Sequence, residues 1–139
     1  LLIAAVVAVS GCGSEPTAPG VPGDLIQRRA AWVALGIRSY DYEVSYSNEW
    51  IQPIRARITV RDGLVTAAFD AETNAPLQPA HWPTVDTLFA LAERWSADPE
   101  NVVELLFHPT LSYPTLAKVD APRWADDAQA YAASKLTAR

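Results

Sequence analysis

The sequence predicts an α+β fold in which one antiparallel sheet of about five to six strands carries two helices on one face. Two stretches repeat their apolar residues every three or four positions, as amphipathic helices do, and several others alternate strictly between apolar and polar residues, as half-buried strands do. Half of the chain is apolar, which is enough for a core. The predicted order of elements is α-β-β-β-α-β-β, with a further strand possible at the end.

The first helix is predicted to begin at Asp24, which can cap it while Gln27 completes a capping box. Gly36 weakens its last turn, so we expect the helix to end before Tyr40. Apolar residues at intervals of three and four form the face predicted to pack on the sheet: Ile26, Ala30, Val33 and Ile37.

Strict alternation then predicts strands over residues 40–47 and 54–61, and Asp62-Gly63 is typical of a two-residue hairpin turn. If the first two strands pair around the loop NEWIQP, Glu43 lies opposite Arg57. The hairpin turn predicts an unbroken register for the next strand, because every facing pair on one side is then apolar. Those predicted pairs are Val60 with Val65, Ile58 with Ala67, and Ala56 with Phe69.

A proline-rich loop over residues 74–83 precedes a second helix, for which Thr84 is the predicted cap and Asp98-Pro99 the stop. Its predicted apolar stripe is Val85, Leu88, Phe89, Ala92 and Trp95. Strands follow over residues 103–108 and 113–119. The alanine-rich tail has the propensity of a helix, but strand remains the alternative.

The segments SYDYEVSY, ITVRDGLV, TVDTLFAL and YPTLAKVD, in this order, resemble the domain-of-unknown-function family 6174 over about residues 24–136. The resemblance implies that the tail, residues 128–136, is a strand. It implies no activity. Many members have a cysteine pair in the first hairpin, which this chain lacks, and a glycine where this chain has Ser112, so the geometry of that turn is left open.

The apolar run LLIAAVVAV ends in Val9-Ser10-Gly11-Cys12, which resembles the lipobox of bacterial lipoproteins. This resemblance implies that residues 1–11 are the truncated end of a signal peptide and that Cys12, the single cysteine, is acylated and anchors the protein to a membrane. Residues 12–23 then form a lipidated, Pro/Gly-rich linker and residues 24–139 one α+β domain. The alternative is a free thiol within an ordinary secretory signal.

Because Gly13 rather than Asp follows the cysteine, nothing signals retention in an inner membrane, and we expect the outer membrane or cell surface. The net charge of −5 argues against nucleic acid as a partner. Catalytic signals are weak, and no cofactor or metal motif is evident. His81 and His108 could approach Asp86 or Glu104, and carboxylates cluster near the tail at Asp120, Asp126 and Asp127.

Three tryptophans, Trp50, Trp82 and Trp124, fall in predicted loops, and tryptophan is favoured at binding hot spots. Each could instead cover an edge of the core. The leading hypothesis is therefore a non-enzymatic lipoprotein of the cell envelope that binds an envelope protein or a small ligand. The alternative is a hydrolase or ligand-processing enzyme, which requires the two histidines and a tail aspartate to converge.

Overall fold

The computed structural model describes residues 23–122 and 128–139 of the chain. Two α-helices and six strands occur there, together with one 3-10 turn at Pro79–His81. In chain order the elements are α1 (Gly23–Ala34), β1 (Tyr40–Asn48), β2 (Ile54–Arg61), β3 (Leu64–Asp70), α2 (Val85–Ser96), β4 (Val102–Phe107), β5 (Pro114–Asp120) and β6 (Gln129–Ala138). Neither described helix is long and apolar enough to cross a bilayer.

The six strands form one antiparallel sheet with the order β3-β2-β1-β6-β5-β4. The predicted α+β class and the order of elements are confirmed, and the tail is a strand, β6, as the family resemblance implied. β6 inserts between β1 and β5, so it joins the two halves of the sheet. Propensity alone would have made this segment helical, but pairing on both edges satisfies its backbone groups.

Both helices pack on the face of the sheet that carries Tyr40, Tyr42 and Val44, which we call the inner face. α2 starts as predicted, because the Thr84 hydroxyl accepts a hydrogen bond from the Thr87 N–H at 3.1 Å. The core-facing residues of α2 are those predicted from the sequence: Val85, Leu88, Phe89, Ala92 and Trp95.

The predicted buried face of α1 is wrong. Ile26 and Val33 are 43% and 62% exposed, whereas Leu25 and Trp32, seven positions apart, are almost fully buried. The Trp32 ring meets that of Tyr40 edge-on, with 5.7 Å between the ring centroids. Because a tryptophan removes more apolar surface from water than an isoleucine or valine, its packing decides the rotation of the helix.

The predicted register of the second hairpin holds only at its turn. Val60 pairs with Val65, but a bulge adds Thr66 to β3, so Ile58 then pairs with Ala68 and Arg57 with Phe69. Consequently Ala68 is buried and Phe69, predicted to face the core, is 40% exposed on the other face. At this edge the segment after β3 folds back and adds Leu77 to the core, its N–H bonded to the carbonyl of Ala68.

The structure gives the geometry of the turn before β5, which the sequence left open at Ser112. This residue has a φ of 63°, a left-handed conformation in which a side chain costs free energy and glycine does not. The glycine that the resemblance implies at this position would suit the same turn. The turn is closed by the Ser112 N–H, which donates to the carbonyl of His108 at 2.9 Å.

Candidate functional site

A groove of about 610 Å³ opens at the end of the inner face where β1 ends and β6 begins. We call it the aromatic groove. Its volume lies within the range of about 300–1,000 Å³ that is typical of small-molecule sites. The groove is lined by Tyr46, Ile51, Ile54, Pro76, Leu77, Gln78, His81, Trp82 and Tyr131.

One wall of the aromatic groove consists of two tyrosines on neighbouring strands. Tyr46 of β1 pairs directly with Tyr131 of β6, and their ring centroids are 4.9 Å apart. Trp95, at the end of α2, stacks on Tyr131 at 6.5 Å with an angle of 20° between the planes. The wall is therefore fixed by cross-strand pairing on one side and by a helix on the other.

Trp82 forms part of the opposite wall and is half-buried against the core. The backbone N–H of Trp82 donates to the carbonyl of Pro79 at 3.1 Å, and this hydrogen bond closes the 3-10 turn. The buried Tyr42 hydroxyl donates to the carbonyl of the next residue, Pro83. The proline-rich loop is thus held to the sheet at the point where it presents Trp82, so the ring is pre-positioned.

Asn48 fixes the loop at the rim of the groove. Its side-chain oxygen accepts the N–H of Trp50 at 2.9 Å and that of Ile51 at 3.0 Å, while its amide nitrogen donates to the Tyr46 hydroxyl at 3.3 Å. Ile51 lines the groove, and the neighbouring Trp50 is 72% exposed. One side chain therefore couples the orientation of the rim to the tyrosine wall.

No aspartate, glutamate, lysine or arginine is among the residues that line the aromatic groove in the described parts of the chain. Burial raises the pKa of Tyr131, and the neighbouring Tyr46 raises it further. The Tyr131 phenol is therefore neutral at physiological pH, and the groove offers aromatic surface with a few polar edges, on Gln78, His81 and the two phenols.

The two histidines have different neighbours. His81 lies at the aromatic groove, whereas His108 is part of a turn, where its Nδ1 accepts the N–H groups of Thr110 and Leu111 at 3.3 and 3.0 Å. Its ring stacks on Tyr113 at 5.1 Å. Across residues 23–122 and 128–139, no group of three His, Cys, Asp or Glu residues could hold a metal ion.

Of the predicted site residues, Trp82 lines the aromatic groove and Trp50 lies beside its rim. Cys12 and Trp124 lie outside the described residues, as do Asp126 and Asp127. Sequence reasoning missed two wall residues. Tyr46 lay within the predicted strand over residues 40–47 and Tyr131 within the alanine-rich tail, and neither was singled out; the available signal was a tyrosine within a segment predicted to be a strand.

A family model described as "Family of unknown function (DUF6174)" matches residues 24–138, which is nearly all of the predicted domain. No curated protein and no solved structure matches the chain.

Proposed function

We propose that this chain, which belongs to the DUF6174 family, is a lipid-anchored, non-enzymatic module of the bacterial cell envelope that binds an envelope protein or a small ligand in the aromatic groove. The observation that carries this proposal is the groove of about 610 Å³ whose walls include Tyr46, Trp82 and Tyr131 and whose described lining contains no Asp, Glu, Lys or Arg. Pre-positioned aromatic rings supply large contact areas at little cost in conformational entropy. A groove with pre-positioned aromatic walls therefore favours the binding of a ligand.

The chemistry at the groove supports binding rather than turnover. General acid–base catalysis needs a proton-transfer group in hydrogen-bond reach of the reacting atom, together with a partner that orients it. His81 is the single histidine at the groove and no carboxylate lines it in the described parts of the chain, while His108 has its Nδ1 engaged in a turn. The hydrolase alternative therefore has His81 alone as support at this site.

The anchor is the part of the proposal that rests on the N-terminal motif. Val9-Ser10-Gly11-Cys12 has the residue types of a lipobox. Two or more acyl chains hold a protein stably at a membrane, whereas one gives only marginal binding. With Cys12 acylated, the proline- and glycine-rich residues 13–22 would act as a spacer between the bilayer and α1.

Binding in the groove can be tested with the neutral fluorescent compound N-phenyl-1-naphthylamine, whose emission rises in apolar surroundings. The test variant is Ile51→Lys, which places a charge on the groove wall, and the matched control is Leu64→Lys, at a 70% exposed leucine that begins β3 and does not line the groove. We expect saturable binding that Ile51→Lys weakens by about tenfold, because the ammonium would lose hydration beside the ligand. Equal binding by both variants would contradict the proposal.

The anchor can be tested separately in the host cell. We expect the wild-type protein to fractionate with membranes and the Cys12→Ser variant to be released into the soluble fraction. Crosslinking of living cells before fractionation would identify an envelope partner that is captured by the wild type. Identical fractionation of the two proteins would contradict the lipid anchor without bearing on the groove.

A further inference from the structure

A second concavity lies on the outer face of the sheet, opposite the helices, and we call it the outer hollow. Its volume is about 470 Å³, and its lining includes Asp41, Glu43, Arg57, Phe69, Asn74 and Lys135. These residues come from four adjacent strands and from the loop after β3. The outer hollow is therefore built from the β3-β2-β1-β6 part of the sheet and is separate from the aromatic groove on the inner face.

Three irregularities of the backbone direct side chains into the outer hollow. The bulge at Thr66 turns Phe69 from the core to the outer face, directly opposite Arg57. Lys135 has a φ of 55° at an irregularity between β6 and β1, and Asn74 has a φ of 59°. Left-handed conformations of non-glycine residues cost free energy and occur preferentially at functional sites. Because these three irregularities meet at one hollow, the outer hollow is a candidate binding site.

Both carboxylates of the outer hollow are already paired with cations. Glu43 accepts a hydrogen bond from the Lys135 ammonium at 3.0 Å. Asp41 contacts Arg61 at 3.4 Å and also Arg139. Burial by itself would raise the pKa of Asp41, but hydrogen bonds from Arg139 and Thr59, with the charges of both arginines, hold it below its usual value.

Arg57 differs from the other cations of the outer hollow. Its guanidinium donates to the side-chain oxygen of Asn74, a neutral acceptor, and it makes no ion pair with any described residue. The charges of the lining itself balance, with Arg57 and Lys135 against Asp41 and Glu43, and Arg61 and Arg139 add two further cations beside Asp41. Positive charge is therefore in excess around the outer hollow, in a chain whose net charge is −5.

We propose that the outer hollow binds a carboxylate-bearing ligand with an apolar body, its carboxylate on Arg57 and its apolar part against Phe69. An arginine guanidinium can bind a carboxylate through two parallel hydrogen bonds, and these are stronger than bonds between neutral groups. Asn74, whose oxygen is occupied by Arg57, presents its amide N–H groups as further donors. The 40% exposed ring of Phe69 supplies the apolar contact beside this charge.

The test uses phenylacetate and its neutral counterpart phenylacetamide, titrated into the ¹⁵N-labelled full chain and followed by the shifts of backbone amide signals. The variant is Arg57→Gln, at an exposed position of β2. The matched control is Arg55→Gln, an exposed arginine on the same strand and face that does not line the outer hollow.

We expect saturable shifts at Phe69, Asn74 and Lys135 with phenylacetate, and binding weaker by about tenfold for phenylacetamide and for Arg57→Gln. Arg55→Gln should bind phenylacetate within about twofold of the wild type, because Arg55 does not line the outer hollow and an exposed charge outside it contributes little to the affinity. The proposal is overturned if the two compounds bind alike, if the two arginine variants lose affinity equally, or if phenylacetate gives no saturable shifts. None of these results depends on the aromatic groove.

Discussion

Replacing Tyr40 by phenylalanine should destabilise the protein through one lost hydrogen bond. The Tyr40 hydroxyl accepts the N–H of Val85, the first residue of α2, at 2.8 Å, and both residues are almost fully buried. Phenylalanine keeps the edge-on ring contacts with Trp32 and Tyr42, at 5.7 and 5.2 Å between centroids, but leaves the N–H without an acceptor. An unsatisfied buried donor costs about 1–3 kcal/mol, and we expect this loss in the free energy of unfolding.

The measurement is equilibrium unfolding in urea at pH 7, with Tyr46→Phe as the matched control. The Tyr46 hydroxyl receives only a 3.3 Å hydrogen bond from Asn48 at a half-buried site, so its removal should cost less than about 1 kcal/mol. If Tyr40→Phe costs no more than the control, the Tyr40 hydroxyl does not stabilise the start of α2 and the reasoning is refuted.

The same substitution should change how stability depends on pH. Burial raises the pKa of Tyr40 from 10.0 to about 12; the Val85 hydrogen bond opposes this rise and Asp86 adds to it. The folded state therefore holds its proton where the unfolded state releases it. The stabilisation is complete below pH 10 and is lost as the pH rises towards 12. Tyr40→Phe should reduce this alkaline loss relative to the wild type, and an unchanged pH profile would contradict the assignment.

Three further substitutions test local features by thermal or urea unfolding. Ser112→Gly should stabilise the protein by about 0.5–1 kcal/mol, because it relieves the positive φ of 63°; a loss of stability would refute this. Thr84→Ala should cost about 1 kcal/mol through loss of the cap on α2, whereas Thr84→Ser should cost little. Gly63→Ala should cost about 1 kcal/mol, because φ is 81° in the hairpin turn, and no effect would argue against that turn.

The sequence predicted every element whose signal is local. Thr84 caps α2, Asp62 and Gly63 form the hairpin turn with positive φ at both positions, and Glu43 of β1 lies opposite Arg57 of β2 in the strand register. These features depend on the nearest few residues or on a strict alternation, so the chain contains their evidence within a short stretch. The class of fold followed from them, since an α+β chain of this size has few ways to bury its apolar faces.

The candidate site was only partly predictable. Trp82 and Trp50 stood out because both fall in predicted loops and tryptophan is favoured at binding hot spots, and Trp82 does line the aromatic groove. Tyr46 and Tyr131 did not stand out, because they meet only when β6 inserts beside β1. They are 85 residues apart (131 − 46), and no local pattern records which strands become neighbours in a sheet.

Local sequence patterns by themselves determined both helices and the first five strands in their order, because periodicity and caps act over a few residues, whereas β6 was implied only by the family resemblance. Tertiary packing decided three things that no local pattern contains: the rotation of α1, the bulge at Thr66 and the pairing of β6 with β1. In each case a distant group competes with a local preference. Trp32 packs on Tyr40, and Leu77 completes the core beside Ala68, so Phe69 is left on the outer face.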